Sequence, residues 1–455
     1  MSETSSPAEL PIKSQGNVRI LAPDLARGLT LLGIAVANST TAWLPADGEL
    51  PAAFVGGIFQ DSIWDKIAAV FGAVFFHVRG LPMFSTMLGY GIGMLMWSLH
   101  RRGYPLKPAR NVLLRRYGLL ALFGLLHFLL IFYGDIMFFY GVAGMLVACM
   151  IHWRTQTILA IAGTMLGVYV FSTAASAVVV PFVELNIPAP SEGQLGSRLP
   201  HSWSEYINVF PVLFRQVAFL PFELFMLVPL VMIGFVAARF RVLEEPEQHK
   251  KLLKRVALLG AAIALGVGLP WGFAEIGLLP KNIALAFLVL NQGLGLLTGP
   301  GIIAIIALAA IPLQRRYTQG QDDQNGYKLP IIVQMLTALG KRSMTGYVMQ
   351  SLILLPLCAP FLLHALKPQG AAFSTLVGFI VWVIALIVAF ILEKLHLRGP
   401  FEAAHRRLSY GKAGLYKQFP PGVAQKEIED ASTKSPIQKP SIEKSDFAEE
   451  PREQQ

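Results

Sequence analysis

Ten long apolar runs, divided by shorter polar connections, organise the chain: residues 22–44, 68–99, 112–133, 136–152, 156–180, 209–238, 254–274, 283–312, 330–363 and 371–393. A helix needs about 20 mainly apolar residues to cross the hydrocarbon core of a bilayer. Each run is therefore read as a membrane helix, and the fold class as all-α, a polytopic transmembrane helix bundle of about ten spans. Several runs are too long for one straight span, and Pro82, Pro229 and Pro300 predict kinks or breaks in them. The run 68–99 is expected to begin as an interfacial segment before Arg79 and Gly80. The run 283–312 is expected to divide at "GLLTGPG". No internal repeat is evident.

Composition agrees with that pattern. Of 455 residues, 54% are hydrophobic and 15% charged, against roughly 25% charged in soluble domains, and the mean hydropathy is +0.53. The net charge of +10 would suit a nucleic-acid surface, but its distribution does not. One alternating set of connections (1–20, 100–116, 153–155, 239–255, 313–329, 394–417) holds 24 Lys and Arg, and the other set holds 3. That asymmetry is the positive-inside rule. It excludes nucleic acid as the reason for the charge, places both termini in the cytoplasm and requires an even number of spans.

Cys149 and Cys358 lie inside apolar runs, with no metal-ligand spacing around them. No metal site and no tightly bound cofactor is expected. The opening "MSETSSPAELPIKSQGN" is polar, so no cleaved signal peptide is expected. The division along the chain is a cytoplasmic segment 1–20, a membrane bundle 21–240, a second membrane domain 241–417 and a tail 418–455. That tail is rich in Pro, Ser, Glu and Lys with little to bury, and is expected to be disordered.

Ionisable groups within membrane helices are costly and mark functional candidates. Asp24 and Arg27 are three apart at the start of the first run and share a helix face. Asn38 continues that face after three turns, which fits a cavity-lining stripe. Alternatively, the pair only anchors the helix end. Arg79, beside His77, precedes Ser85 and Thr86. It is a candidate to hold a carboxylate or phosphate, or to pair with Asp135.

In "LLRRYGLLALFGLLHFLLIFYGDIMFFYG", Arg115 and Arg116 open the third run and His127 lies about 17 Å deeper, at about 1.5 Å per residue. Asp135 closes the run. Neutral imidazole acts as a base near pH 7 and a carboxylate can orient it. His127 and Asp135 are thus candidate catalytic residues, though eight positions on a straight helix are too many for direct contact. "LGKRSMTGYVMQS" adds Lys341, Arg342, Thr345, Tyr347, Gln350 and Ser351, and Glu223 adds a charge to the sixth run. A shared polar cavity is the economical explanation.

"DLARGLTLLGIAVAN", "FSTMLGYGIGM", "RRYGLLALFGLLHFLLIFYGDIMFFYGVAGML", "LGKRSMTGYVMQS" and "RGPFEAAHRRLSYG" resemble the successive blocks of the YeiB-like family. These are bacterial inner-membrane proteins with a C-terminal domain of unknown function, which the resemblance assigns to 241–417. The first block also resembles the opening of transmembrane acyltransferases such as heparan-α-glucosaminide N-acetyltransferase. That resemblance implies acyl transfer from cytoplasmic acyl-CoA to a small-molecule, glycan or lipid acceptor, through a cavity and a catalytic His. Residues 45–63, where those relatives place a His, contain none, so His127 takes its place as the candidate.

In this reading Arg115 and Arg116 meet the CoA phosphates, a task that suits the guanidinium fork. Asp24, Arg27, Asn38, Arg79, Ser85, Tyr347 and Gln350 line the cavity. The alternative is a transporter or exporter of a small molecule or lipid precursor, using the same residues as substrate and proton path. A third reading is a non-catalytic component that recruits partners through its tail.

Overall fold

The chain's apolar segments form helices whose lipid-facing sides are as apolar as their protein-facing sides, the reverse of a soluble bundle. The helix Thr155–Val179 shows this. Ile158, Ala162, Leu166 and Tyr169 form one buried stripe, while Leu159, Val168, Phe171 and Val178 lie exposed around it. A computed structural model describes residues 19–45, 52–182, 199, 202–208, 210–319 and 327–420. The expected tail beyond residue 420 and most of the expected N-terminal segment lie outside the described residues.

Fifteen α-helices are found among the described residues. They are α1 Leu21–Asn38, α2 Ile63–Phe75, α3 Gly80–Arg101, α4 Leu106–Leu130, α5 Met137–Cys149, α6 Thr155–Val179, α7 Trp203–Ile207 and α8 Phe210–Arg239. The remainder are α9 Lys250–Glu275, α10 Lys281–Leu294, α11 Thr298–Gln319, α12 Ile331–Lys341, α13 Ser343–Cys358, α14 Ala371–Lys394 and α15 Pro400–Tyr410. Seven helical stretches among the described residues are long and apolar enough to cross a membrane, and α5, α12 and α13 are shorter apolar helices.

All but one of the breaks have local causes. Between α2 and α3 the chain turns through Val78, a non-glycine residue at φ 58°. The expected interfacial segment is thus a separate helix, started by Ser62, whose hydroxyl accepts the Asp65 N–H. The run 283–312 divides at Gly295–Leu297, inside the expected "GLLTGPG". Pro82 and Pro300 lie in the first turns of α3 and α11, where a missing N–H removes no helical bond. They mark helix starts rather than kinks. Pro229 sits within an uninterrupted α8. The run 330–363 is two helices, broken at Arg342.

Connections rich in Lys and Arg meet at one end of the bundle. The Leu21 N–H donates to Gln314 Oε1 at 2.8 Å. Arg239 donates to the carbonyls of Ile151 and Trp153, and Arg315 pairs with Glu247. The basic-poor connections meet at the other end. There Asp65 accepts the Ala372 N–H at 2.8 Å, and the Tyr133 hydroxyl donates to Ala42 O at 3.3 Å. Basic-rich and basic-poor connections thus lie at opposite ends of the bundle.

Two glycine contacts bring backbones together at the site. A Cβ on Gly28 would collide with Leu336 O, and one on Gly340 with Asp24 O. Small residues here let α12 lie directly on α1.

Candidate functional site

At the basic end a cavity of about 700 Å³ lies between α1, α3, α4, the start of α5, the α12–α13 junction and α15. Its mouth is unbalanced in charge. Arg19, Arg27, Arg102, Arg116, Lys341, Arg342, Arg398 and Arg406 line the cavity against two carboxylates, Asp24 and Glu402. Both carboxylates are engaged. Asp24 accepts from Arg19 at 2.6 Å and lies 3.9 Å from the Arg27 guanidinium. Arg27 also reaches Met87 O at 3.4 Å. Gly91 clears its path, since a Cβ there would stand 3.0 Å from Arg27 Nη2.

Glu402 of α15 caps α13. It accepts the N–H groups of Met344 and Thr345 at 2.8 and 2.9 Å, so its charge meets the positive end of that helix. Lys341 and Arg342 share Glu393, each at 2.6 Å. Arg116 donates to the Tyr410 hydroxyl at 2.7 Å. Among the described residues, Arg102, Arg398 and Arg406 have side chains with no hydrogen bond or ion pair.

The inner part is apolar, with Ile34, Phe84, Leu88, Leu120 and Met137, plus the phenols of Tyr140 and Tyr347. Tyr140 donates to Leu81 O at 3.0 Å and Tyr347 accepts the Ile136 N–H at 3.3 Å.

Behind Tyr347 stands a second feature. His127 Nδ1 lies 2.8 Å from Asp135 Oδ1, with both side chains almost completely buried. The straight-helix argument against this contact fails because α4 ends at Leu130. The chain then turns, and Asp135 returns against the last turn of α4. Asp135 Oδ2 accepts the Phe138 N–H at 2.8 Å, which caps α5. In the tautomer that donates Nδ1–H to this carboxylate, the lone pair falls on Nε2. His127 Nε2 is buried without a hydrogen-bond partner among the described residues. The His127 and Tyr347 rings are 5.2 Å apart.

The structure therefore places Asp24, Arg27, Arg116 and Tyr347 on one cavity wall, with His127 and Asp135 just behind it. Ser85 is buried, 3.5 Å from the Tyr140 hydroxyl, and belongs to the layer behind the wall. Gln350 is buried and donates to Leu31 O at 3.3 Å. Neither Gln350 nor Asn38 is on the wall, so the expected polar stripe stops at Arg27. Arg115 is exposed and outside the wall. Arg79 does not meet Asp135. It is buried against the end of α2, donating to Val74 O at 3.0 Å, Ala73 O at 3.3 Å and Asn291 Oδ1 at 2.9 Å. A cation suits the carbonyls of a helix C-terminus, and that accounts for it.

The sequence did not single out Tyr140, Glu402 or His405. His405 is buried in α15, its Nε2 2.8 Å from Arg116 O. Burial and then the Arg116 charge hold its pKa below the ordinary imidazole value. These three gain meaning only from contacts across the bundle.

Helices and site define a multi-pass integral membrane protein with a cation-rimmed cavity at its basic end. Residues 237–412 match a family model described as "Protein of unknown function (DUF418)". The chain is 24% identical over 422 residues to the uncharacterized protein YxaH of Bacillus subtilis, covering 87% of this chain and 95% of that protein. It is 31% identical over 131 residues to the uncharacterized protein YeiB of Escherichia coli, 29% of each chain. These matches support the YeiB-like family that the sequence blocks resemble. The descriptions carry no activity, so the functional reading rests on the site.

Proposed function

We propose that this membrane protein transfers an acyl group from acyl-CoA to a hydroxyl or amine acceptor. The basic end faces the cytoplasm of a bacterial cell in this reading, and the cavity takes the donor from there. The observation that carries the proposal is the shared wall. Tyr347 lines the cation-rimmed cavity and also packs on His127. Unpaired arginines are suited to phosphates, and the apolar inner part to an acyl chain.

In the proposed step the Tyr347 ring swings aside and opens His127 Nε2 to the cavity. Nε2 takes the acceptor's proton, and the acceptor's electron pair forms a bond to the thioester carbonyl carbon. The C–S bond breaks, and the CoA thiolate leaves and takes the proton from the imidazolium. Asp135 fixes the tautomer and supports the imidazolium charge.

The test supplies inverted membrane vesicles and a lipid and small-molecule extract with acetyl-CoA labelled in its acetyl group. The reading expects a labelled product with the wild type and none with His127→Ala, which retains acetyl-CoA binding. Label that crosses the membrane unchanged, with no product, would favour transport instead.

A further inference from the structure

A side pocket of about 420 Å³ adjoins the main cavity. It is lined by Arg398, Arg406, Arg407 and Lys412, with the turn Gly411–Gly414 as its backbone wall. Arg398 and Arg406 line both spaces, so the two form one continuous cationic groove. Among the described residues no carboxylate lines the side pocket. Among the described residues none of its four cations has a hydrogen bond or ion pair. Gly411 and Gly414 both have positive φ, 73° and 74°. That backbone curls the chain back beside α15 and brings Lys412 onto the arginines. The positive-inside rule explains basic residues on this side of the membrane, but not their convergence on one concavity. These exposed cations meet no counter-charge among the described residues, and an anion seated between them would gain their combined field.

We propose that the side pocket binds a terminal phosphomonoester, separate from the phosphates met at the main mouth. A ligand with two phosphate-bearing parts fills the whole groove, with its acyl end in the apolar interior. In the acyl-CoA reading, on which this rests, the side pocket takes the 3′-phosphate of the donor's ribose. The pocket then distinguishes CoA from 3′-dephospho-CoA. A dianionic phosphate held by several guanidinium and ammonium donors makes charge-assisted bonds. Losing that phosphate is expected to weaken binding by about tenfold or more.

The experiment titrates CoA and 3′-dephospho-CoA into the full chain in phosphatidylcholine nanodiscs, beside Arg407→Ala/Lys412→Ala. Both substituted residues line the side pocket and not the main cavity. The wild type is expected to prefer CoA, and the variant to lose that preference while binding 3′-dephospho-CoA as before. Equal binding of both ligands by the wild type, or a preference that persists in the variant, would overturn the inference and leave the donor reading intact. Binding of neither ligand by folded protein would overturn the donor reading and this inference with it. A preference that disappears when phosphatidylglycerol replaces part of the phosphatidylcholine would give the pocket to a lipid phosphate, and also overturn it.

Discussion

His127 and Asp135 are eight residues apart in sequence and hydrogen-bonded in the fold, Nδ1 to Oδ1 at 2.8 Å. One carboxylate oxygen orients the imidazole and the other caps α5 through Phe138 N–H. The two functions separate by mutation. Asp135→Asn keeps a carbonyl for one partner and removes the charge. Transfer is expected to fall about a hundredfold or more, with little change in thermal midpoint. Asp135→Ala also loses the cap, at about 1 kcal/mol. Label transfer and thermal unfolding, measured on both variants, check this. Full transfer in Asp135→Asn would remove the dyad from the mechanism.

Helix packing gives a matched pair of glycine predictions. A Cβ on Gly89 of α3 would collide with Val231 O of α8, whereas one on Gly163 of α6 would meet nothing within 4 Å among the described residues. Gly89→Ala is expected to destabilise by about 1–3 kcal/mol through overpacking. Gly163→Ala is expected to be neutral, or stabilising by up to about 1 kcal/mol, through helix propensity. Unfolding midpoints in one detergent compare them directly.

Docking of α15 should depend on pH through His405. Its folded pKa lies below the ordinary imidazole value because of burial and the Arg116 charge. The undocked form therefore binds a proton more readily. Docking is at full strength above the ordinary value of about 6.5 and weakens as pH falls below it, towards the lowered folded pKa. Trypsin cleavage at Arg406 and Arg407, divided by the rate on an unfolded peptide at the same pH, is expected to rise between pH 7.5 and 5.5. His405→Gln, which retains a donor for Arg116 O, should flatten that change.

Orientation has a direct probe. Cys149 is exposed at the basic end of α5, and Cys358 is buried at the far end of α13. A membrane-impermeant maleimide is expected to label Cys149 in inverted vesicles and not in intact cells. Labelling from outside would reverse the proposed topology.

The helical runs were legible because bilayer thickness imposes a length and an apolar composition on each. The alternation of basic connections was legible for a similar reason. The dyad was not, since a helix reading carries α4 straight through residues 131–135. Only the turn after Leu130 brings Asp135 back. Arg79 misled in the same way. Its partners are carbonyls at the end of α2, and a sequence marks carboxylates far more visibly than helix ends. The break at Arg342 has no glycine or proline at that position. It is fixed by Glu393 and Leu397 O, more than fifty residues away. Glu402 and His405 lay within a recognisable block, but their chemistry comes from α13 and α4, which the block does not contain.

Whether the cation-rimmed cavity binds acyl-CoA is decided by calorimetric titration of the purified protein with acetyl-CoA. The comparison is Arg102→Ala/Arg398→Ala, because neither side chain has a partner among the described residues whose loss would disturb the fold. Saturable binding by the wild type, weakened about a hundredfold or more in the variant, is the expected result. No binding by folded wild type, or equal affinity in the two proteins, would contradict the claim.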